Sequence, residues 1–244
     1  MIPVRTNVHG GSPPIATIAI VAVSVLVFVL QLELPPAHLD AFVTDWGVVP
    51  SRLWHTMLGS PQHVELWLLP MFSAMFLHGG WGHLLGNMLF LWVFGRSLES
   101  RIGTVRFTVL YFIAGLVAGF SQAAFTVDST APMIGASGAI AGVLGAYFVA
   151  YPRSNVTVLF PIAFFPLFFE LPAILFLGVW FFEQLFSGAL WALSPLAAKA
   201  GGVAWFAHIG GFLAGVGAGV LARVRPAPLP RRLRRAPDAY VVWH

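Results

Sequence analysis

From Ile15 to Leu32 the chain runs without a single charged side chain, and Pro13-Pro14 introduces the run. At 1.5 Å per residue a helix of this length crosses most of the hydrocarbon of a bilayer, so the segment predicts a first membrane span, TM1. A cleaved secretory leader is the rival reading. Only Arg5 precedes the run, and Gln31-Leu32-Glu33-Leu34-Pro35-Pro36 follows it without a small-residue cleavage site, which favours retention.

The remainder of the chain is written for the same solvent. Only 9% of its 244 residues are charged, against about 25% in a soluble domain. Further spans are expected over residues 82–95, 107–125, 137–151, 172–186 and 203–221. The expected fold class is therefore all-α, a polytopic six-helix membrane bundle over residues 15–222. Residues 1–14 read as a cytoplasmic N-terminal segment and 223–244 as a basic tail. Residues 156–169 are rich in Val and Phe but interrupted by Pro161 and Pro166, which predicts an extended re-entrant or hairpin segment.

Charge placement predicts orientation. Six of the thirteen basic residues, Arg223, Arg225, Arg231, Arg232, Arg234 and Arg235, lie in the tail. The positive-inside rule puts that tail, and with six spans both termini, in the cytoplasm. Arg96, Arg101, Arg106 and Arg153 fall in connections expected on the same side, whereas the opposite connections carry Asp128 and Lys199. A multi-pass protein of the plasma membrane is expected, with residues 33–80 forming a structured external loop at the interface. The high pI is thereby a topology signal, and no nucleic-acid partner is expected. Absence of cysteine excludes disulfides, thiolate metal sites and a Cys nucleophile.

Polar side chains within spans are costly and make the default functional candidates. His83 and Asn87 share a face of TM2, four residues apart, with His78 just before them. Ser137 opens TM4 within Gly135-Ala136-Ser137-Gly138, and His208 lies in TM6 beside Gly210-Gly211. All four in-span groups sit near the external ends, roughly 8 Å deep by helical rise. Ala141 and Gly145 below Ser137, and Gly211, Gly215 and Gly219 on the face of His208, form small-residue stripes. Packing TM4 against TM6 along them would bring hydroxyl and imidazole together. Singly, each residue has a blander reading: a Ser bonded to its own helix carbonyl, a His or Asn as interhelical glue, glycines for packing only. Jointly they supply a nucleophile, a base and oxyanion donors, the parts of an acyl-transfer site.

These residues resemble the rhomboid proteases. Phe76-Leu77-His78-Gly79-Gly80-Trp81-Gly82-His83-Leu84-Leu85-Gly86-Asn87-Met88 looks like that family's TM2 signature, and residues 135–145 look like its Gly-x-Ser-Gly motif. Ala207-His208 with Gly211 looks like its TM6 motif, and Glu99-x-Arg101-x-Gly103 is similar to its loop after TM2. The resemblance implies a six-helix fold and a serine endopeptidase acting through a Ser/His dyad and an acyl-enzyme. Ser137 would be the nucleophile and His208 the base. His83, Asn87 and the Ser137 backbone N–H would stabilise the oxyanion, with His78, Gly135, Gly138 and Gly211 supporting. Substrates would be transmembrane segments with helix-weakening residues, met within the lipid bilayer; no metal and no cofactor are implied. Two positions depart from the pattern. Trp67-Leu68 stands where the family loop often carries Trp-Arg, and Ala141 where some members place a Tyr stacked on the catalytic His, so the group that orients His208 is not given by the motif.

Other intramembrane protease chemistries fail on inventory. No His-Glu-x-x-His motif occurs, and Asp40, Asp45, Asp128 and Asp238 all fall outside the predicted spans. A catalytically inactive rhomboid-like protein that binds membrane clients is the alternative; such proteins typically lack the Ser or the His. A transporter would want repeats or midplane ion ligands, and the polar groups here cluster toward one face. TM5, with Phe176, Trp180, Phe181 and Phe182, is the candidate substrate gate. No acid lies in TM4 or TM6, so activity is expected to fall as pH drops through the His208 pKa.

Overall fold

The computed structural model describes residues 1–8, 11–162, 165–193, 203–222 and 224. Most of them are helical. Helix α1 (Ile15–Leu32) is followed by α2 (Pro36–Trp46), α3 (Pro50–Gly59) and α4 (Val64–Ser73). Proline at the first position of α2 and α3 costs nothing there, because that N–H has no helical acceptor. Helix α5 (Trp81–Phe90) runs through a π-helical turn at Leu91–Gly95 straight into α6 (Arg96–Ile102). There follow α7 (Thr104–Phe125), α8 (Ser137–Ala150), α9 (Ala173–Ala192) and α10 (Trp205–Leu221).

A helix lies at each of the six ranges expected to span, with changed limits, and α2, α3 and α4 are additional to the six helices expected. TM2 does not stop at Gly95; its helix carries Arg96 and Arg101 before Gly103, at φ 86°, ends it. Among the described residues α1, α7 and α9 are long and apolar enough to cross a membrane, while α8 and α10 are shorter apolar helices. The basic tail and Lys199 lie outside the described residues. The expected external loop is structured, as α2 to α4.

The all-α expectation is corrected. Strands β1 (Ile2–Thr6), β2 (Asn155–Ile162) and β3 (Phe165–Pro172) form an antiparallel sheet in the order β1-β2-β3. The hairpin expected from Pro161 and Pro166 is present, and the two prolines face each other in its register. Proline denies this stretch a helix, and its Val and Phe residues suit a pleated, half-buried surface. Val156 and Val158 are fully buried against the helices. The N-terminal segment completes the sheet, with Ile2 opposite Leu159 and Thr6 opposite Val156.

Helix α8 is the centre of the bundle, packed chiefly on α10 and α7. From Gly138 to Tyr147 every residue is buried. Small side chains make this possible: a Cβ at Gly211 or Gly215 would overlap the carbonyl oxygens of Gly138 and Gly142, and one at Gly145 would overlap that of Phe212. The expected TM4–TM6 packing is thus present, though Gly138 and Gly142 carry more of it than Ala141. Lipid tails are as apolar as the helices, so van der Waals contact at this close approach is what holds them. At the opposite end of the bundle Glu99 accepts from the N–H groups of Ala16 and Thr17, both at 2.8 Å, and from the hydroxyls of Thr17 and Thr104. One carboxylate so satisfies first-turn donors of α1 and ties α6 to both neighbours.

Candidate active site

Ser137 is the first residue of α8, at the end of a connection held from several sides. Gly135 precedes it with φ 119°, a region that favours glycine, and its N–H donates to the carbonyl of Ala74 at 2.8 Å. Met133 pairs with Val48 from the loop before α3, and the Trp54 indole N–H donates to the Ala123 carbonyl at 2.9 Å. The segment from Val48 to Ala74 therefore braces the turn that presents Ser137. As a first-turn residue it also has a backbone N–H without an intrahelical acceptor.

His208 lies one turn into α10, level with Ser137 because the glycine contacts set the two helices together. Its Nε2 stands 2.9 Å from Ser137 Oγ. Its Nδ1 stands 2.6 Å from Oε1 of Gln184, on α9. Trp180, one turn earlier on α9, places its ring 6.0 Å from the imidazole. The start of α10 is itself anchored by Gln122 of α7, whose Oε1 accepts from the N–H groups of Phe206 at 3.0 Å and Ala207 at 3.2 Å.

His83 and Asn87, on α5, complete the opposite wall. A cavity of about 1220 Å³ is lined by His83, Asn87, Gln122, Ser137, Trp180 and His208 among others. Asn87 Nδ2 is buried without a partner among the described residues, so its donors remain for a ligand's acceptor atom. The Gly79 N–H donates to His83 Nδ1 at 3.4 Å, which leaves the proton on Nε2. A side chain at Gly135 would come within 2.6 Å of that Nε2 and 3.6 Å of Asn87 Nδ2, so only glycine lets both groups approach the turn before Ser137.

The structure therefore brings together Ser137, His208, His83, Asn87 and Gly135. Gly138 and Gly211 meet each other through backbone, below the cavity. His78 does not line it. Its ring is buried behind His83, centroids 5.2 Å apart, with Nδ1 donating to the Phe76 carbonyl and the backbone exchanging hydrogen bonds with Gln31. Burial pushes the His78 pKa down to about 4, and His83 adds to the effect. Between that value and the roughly 6.5 of an unfolded histidine, the unfolded chain binds more protons, so stability is lost as pH falls through this window. The thermal unfolding midpoint is expected to drop between pH 7 and pH 5, and to drop less in His78→Gln. An equal drop in both proteins would refute this assignment of the acid sensitivity.

Two polar residues here escaped the reading of the sequence, Gln122 and Gln184. Both lie in runs expected to span the membrane, so the rule that singled out His83 and Asn87 applies to them equally. Glutamine attracts less notice than a histidine because it neither titrates nor attacks. Its part appears only once the helices are placed.

Comparison with known proteins bears on the family. The family model described as the Rhomboid domain matches residues 64–225. The chain is 43% identical over 84 residues to RHOMBOID-like protein 5 of Arabidopsis thaliana, covering 34% of this chain and 26% of that protein. It is 28% identical over 148 residues to Rhomboid protein 1, mitochondrial, of Saccharomyces cerevisiae, covering 59% and 39%. It is 32% identical over 93 residues to the presenilin-associated rhomboid-like protein, mitochondrial, of Rattus norvegicus, covering 37% and 25%. The chain thus spans well under half the length of each. Two of these relatives are named mitochondrial, and the comparisons lend no support to the plasma-membrane placement read from the charges. The matched region contains the cavity, both helices of the Ser137–His208 pair and the turn that leads into the first of them: the chain belongs to the rhomboid family.

Proposed function

We propose that the chain is an intramembrane serine endopeptidase that cuts transmembrane segments of other proteins. The observation that carries this reading is the 2.9 Å approach of His208 Nε2 to Ser137 Oγ inside a cavity that also holds unpartnered donors. His208 takes the Ser137 proton as Oγ attacks the scissile carbonyl carbon. Negative charge develops on the carbonyl oxygen, and Asn87 Nδ2, His83 Nε2–H and the Ser137 backbone N–H donate to it. Collapse breaks the C–N bond, and His208 returns the proton to the leaving amine. Water, deprotonated by His208, then releases the acyl group from Ser137.

The membrane arrangement belongs to the same proposal. Six helices cross, both termini lie on the cytoplasmic side with the Arg-rich tail, and the cavity opens toward the opposite face. Ser137, His83 and His208 all lie near the N-terminal ends of their helices, whereas Arg96, Arg101 and Arg153 cluster around the other end of the bundle.

A membrane-impermeant fluorophosphonate, which phosphonylates an activated serine, tests both parts in sealed vesicles of known orientation. It is expected to modify Ser137 from the non-cytoplasmic face alone, and the adduct, located by mass spectrometry, should be lost in His208→Ala. An adduct at another residue would sink the nucleophile assignment; labelling from the tail side would sink the orientation. A client-binding protein without catalysis would give no adduct from either side.

A further inference from the structure

We propose that Gln184 is the positioning residue for His208, and that Glu183 sets the orientation in which Gln184 does so. This rests on the serine-protease reading of Ser137 and His208, and names a member of the site that the motifs do not contain.

An imidazole acts as a base toward Ser137 only if Nε2 carries the lone pair, which requires the proton on Nδ1. Something must hold that tautomer. No acid lies on α8 or α10. Helix α9 supplies the missing group. Gln184 is buried, 3% exposed, and its Oε1 lies 2.6 Å from His208 Nδ1. An amide oxygen only accepts, so this contact places the proton on Nδ1 and turns the lone pair of Nε2 onto Ser137 Oγ–H.

The amide could in principle face the other way. Flipped, its NH₂ would donate to Nδ1, put the proton on Nε2 and remove the base. The neighbouring side chain decides between the two. Gln184 Nε2 donates to the Glu183 carboxylate, which when ionised can only accept, so the nitrogen is held away from His208 and the oxygen toward it. Glu183, Gln184, His208 and Ser137 then form one directed chain of hydrogen bonds, in which polarisation by the carboxylate strengthens the bond to Nδ1. Trp180, one helical turn from Gln184 on α9, closes the adjoining side of the ring. A neutral amide brings no charge to the imidazole, so this device acts on its tautomer and orientation.

The test compares wild type, Gln184→Met and Gln184→Glu, each full length in lipid vesicles. Met fills the space without an acceptor; Glu restores one with a charge. Cleavage of a single-pass reporter is followed across pH, and the His208 tautomer is read from its ¹⁵N shifts. In Gln184→Met the kcat is expected to fall on the order of 10²-fold with KM nearly unchanged, and His208 to lose its Nδ1–H form. Gln184→Glu is expected to recover most of the rate and to move the acid limb of the profile to higher pH. His83, across the cavity, and Glu183 are the other ionisable groups beside this chain of bonds; Glu183→Gln, which frees the Gln184 amide to turn over, is expected to lose part of the rate and part of the Nδ1–H form, and a variant identical to wild type in both would overturn the role given to Glu183.

Wild-type cleavage with a Met variant equally fast and an unchanged tautomer overturns the proposal and leaves the protease reading standing. Absent wild-type cleavage, the tautomer alone decides. A Gln184-dependent Nδ1–H form keeps the positioning role while the protease reading falls. An Nε2–H form in wild type overturns the role on its own.

Discussion

Alanine at Ser137, or at His208, is expected to lower cleavage of a single-pass membrane reporter on the order of 10⁴-fold or more at equal protein level in the same membranes. The two groups act as one device. Without the hydroxyl there is no acyl-enzyme, and without Nε2 the hydroxyl at 2.9 Å keeps its proton. The double variant should therefore be little worse than either single one, which independent contributions would not produce. What remains in all three would come from water acting on a carbonyl held against Asn87 and His83. If both single variants cut like wild type, another nucleophile or a contaminating protease is responsible. If none of the proteins cuts while Ser137→Ala still retains membrane clients, the chain is a binding protein on a rhomboid frame.

Valine at Gly215 is expected to destabilise the protein by about 3 kcal/mol or more, the upper range for overpacking a tight core. A Cβ there would overlap the Gly142 carbonyl oxygen and come within 2.9 Å of the Gly142 Cα. Those neighbours are backbone atoms within a buried helix, so no side chain can turn aside and α10 must move. His208 rides on α10 two turns above, so any protein that still folds should also lose activity. Gly217 lies two residues on, yet a Cβ there meets nothing within 4 Å. Gly217→Ala should be neutral or stabilising by up to about 1 kcal/mol, because alanine loses less backbone entropy in a helix. Thermal unfolding in one detergent compares the pair directly; similar losses in both would mean that close backbone approach is not what holds α10 to α8.

The parts of the site that were legible in the sequence share one property. Ser137, His83, Asn87 and His208 are polar groups in apolar runs, and their cost announces them without knowledge of any partner. The glycines of α10 were legible too, because a repeat of four marks one helix face. Gln184 was not, since its meaning lies in His208, 24 residues away on another helix. Glu99 was legible as part of a motif, but its work as an acceptor for α1 spans more than 80 positions. The hairpin could be expected from Pro161 and Pro166; its third strand could not. Nothing in Ile2–Thr6 distinguishes a strand from a loose terminus until β2 is present to pair with it.

That third strand orders events in time. β1 is made before α1, yet the residues it pairs with on β2, Val156 to Leu159, do not exist until the helices up to and including α8 have been synthesised. At 5–20 residues per second the interval is on the order of ten seconds. Through it β1 is without the strand it pairs with in the finished sheet. Closure of the sheet is thus a late event. The β1–β2 ladder can therefore form only after the helices up to α8 have been made.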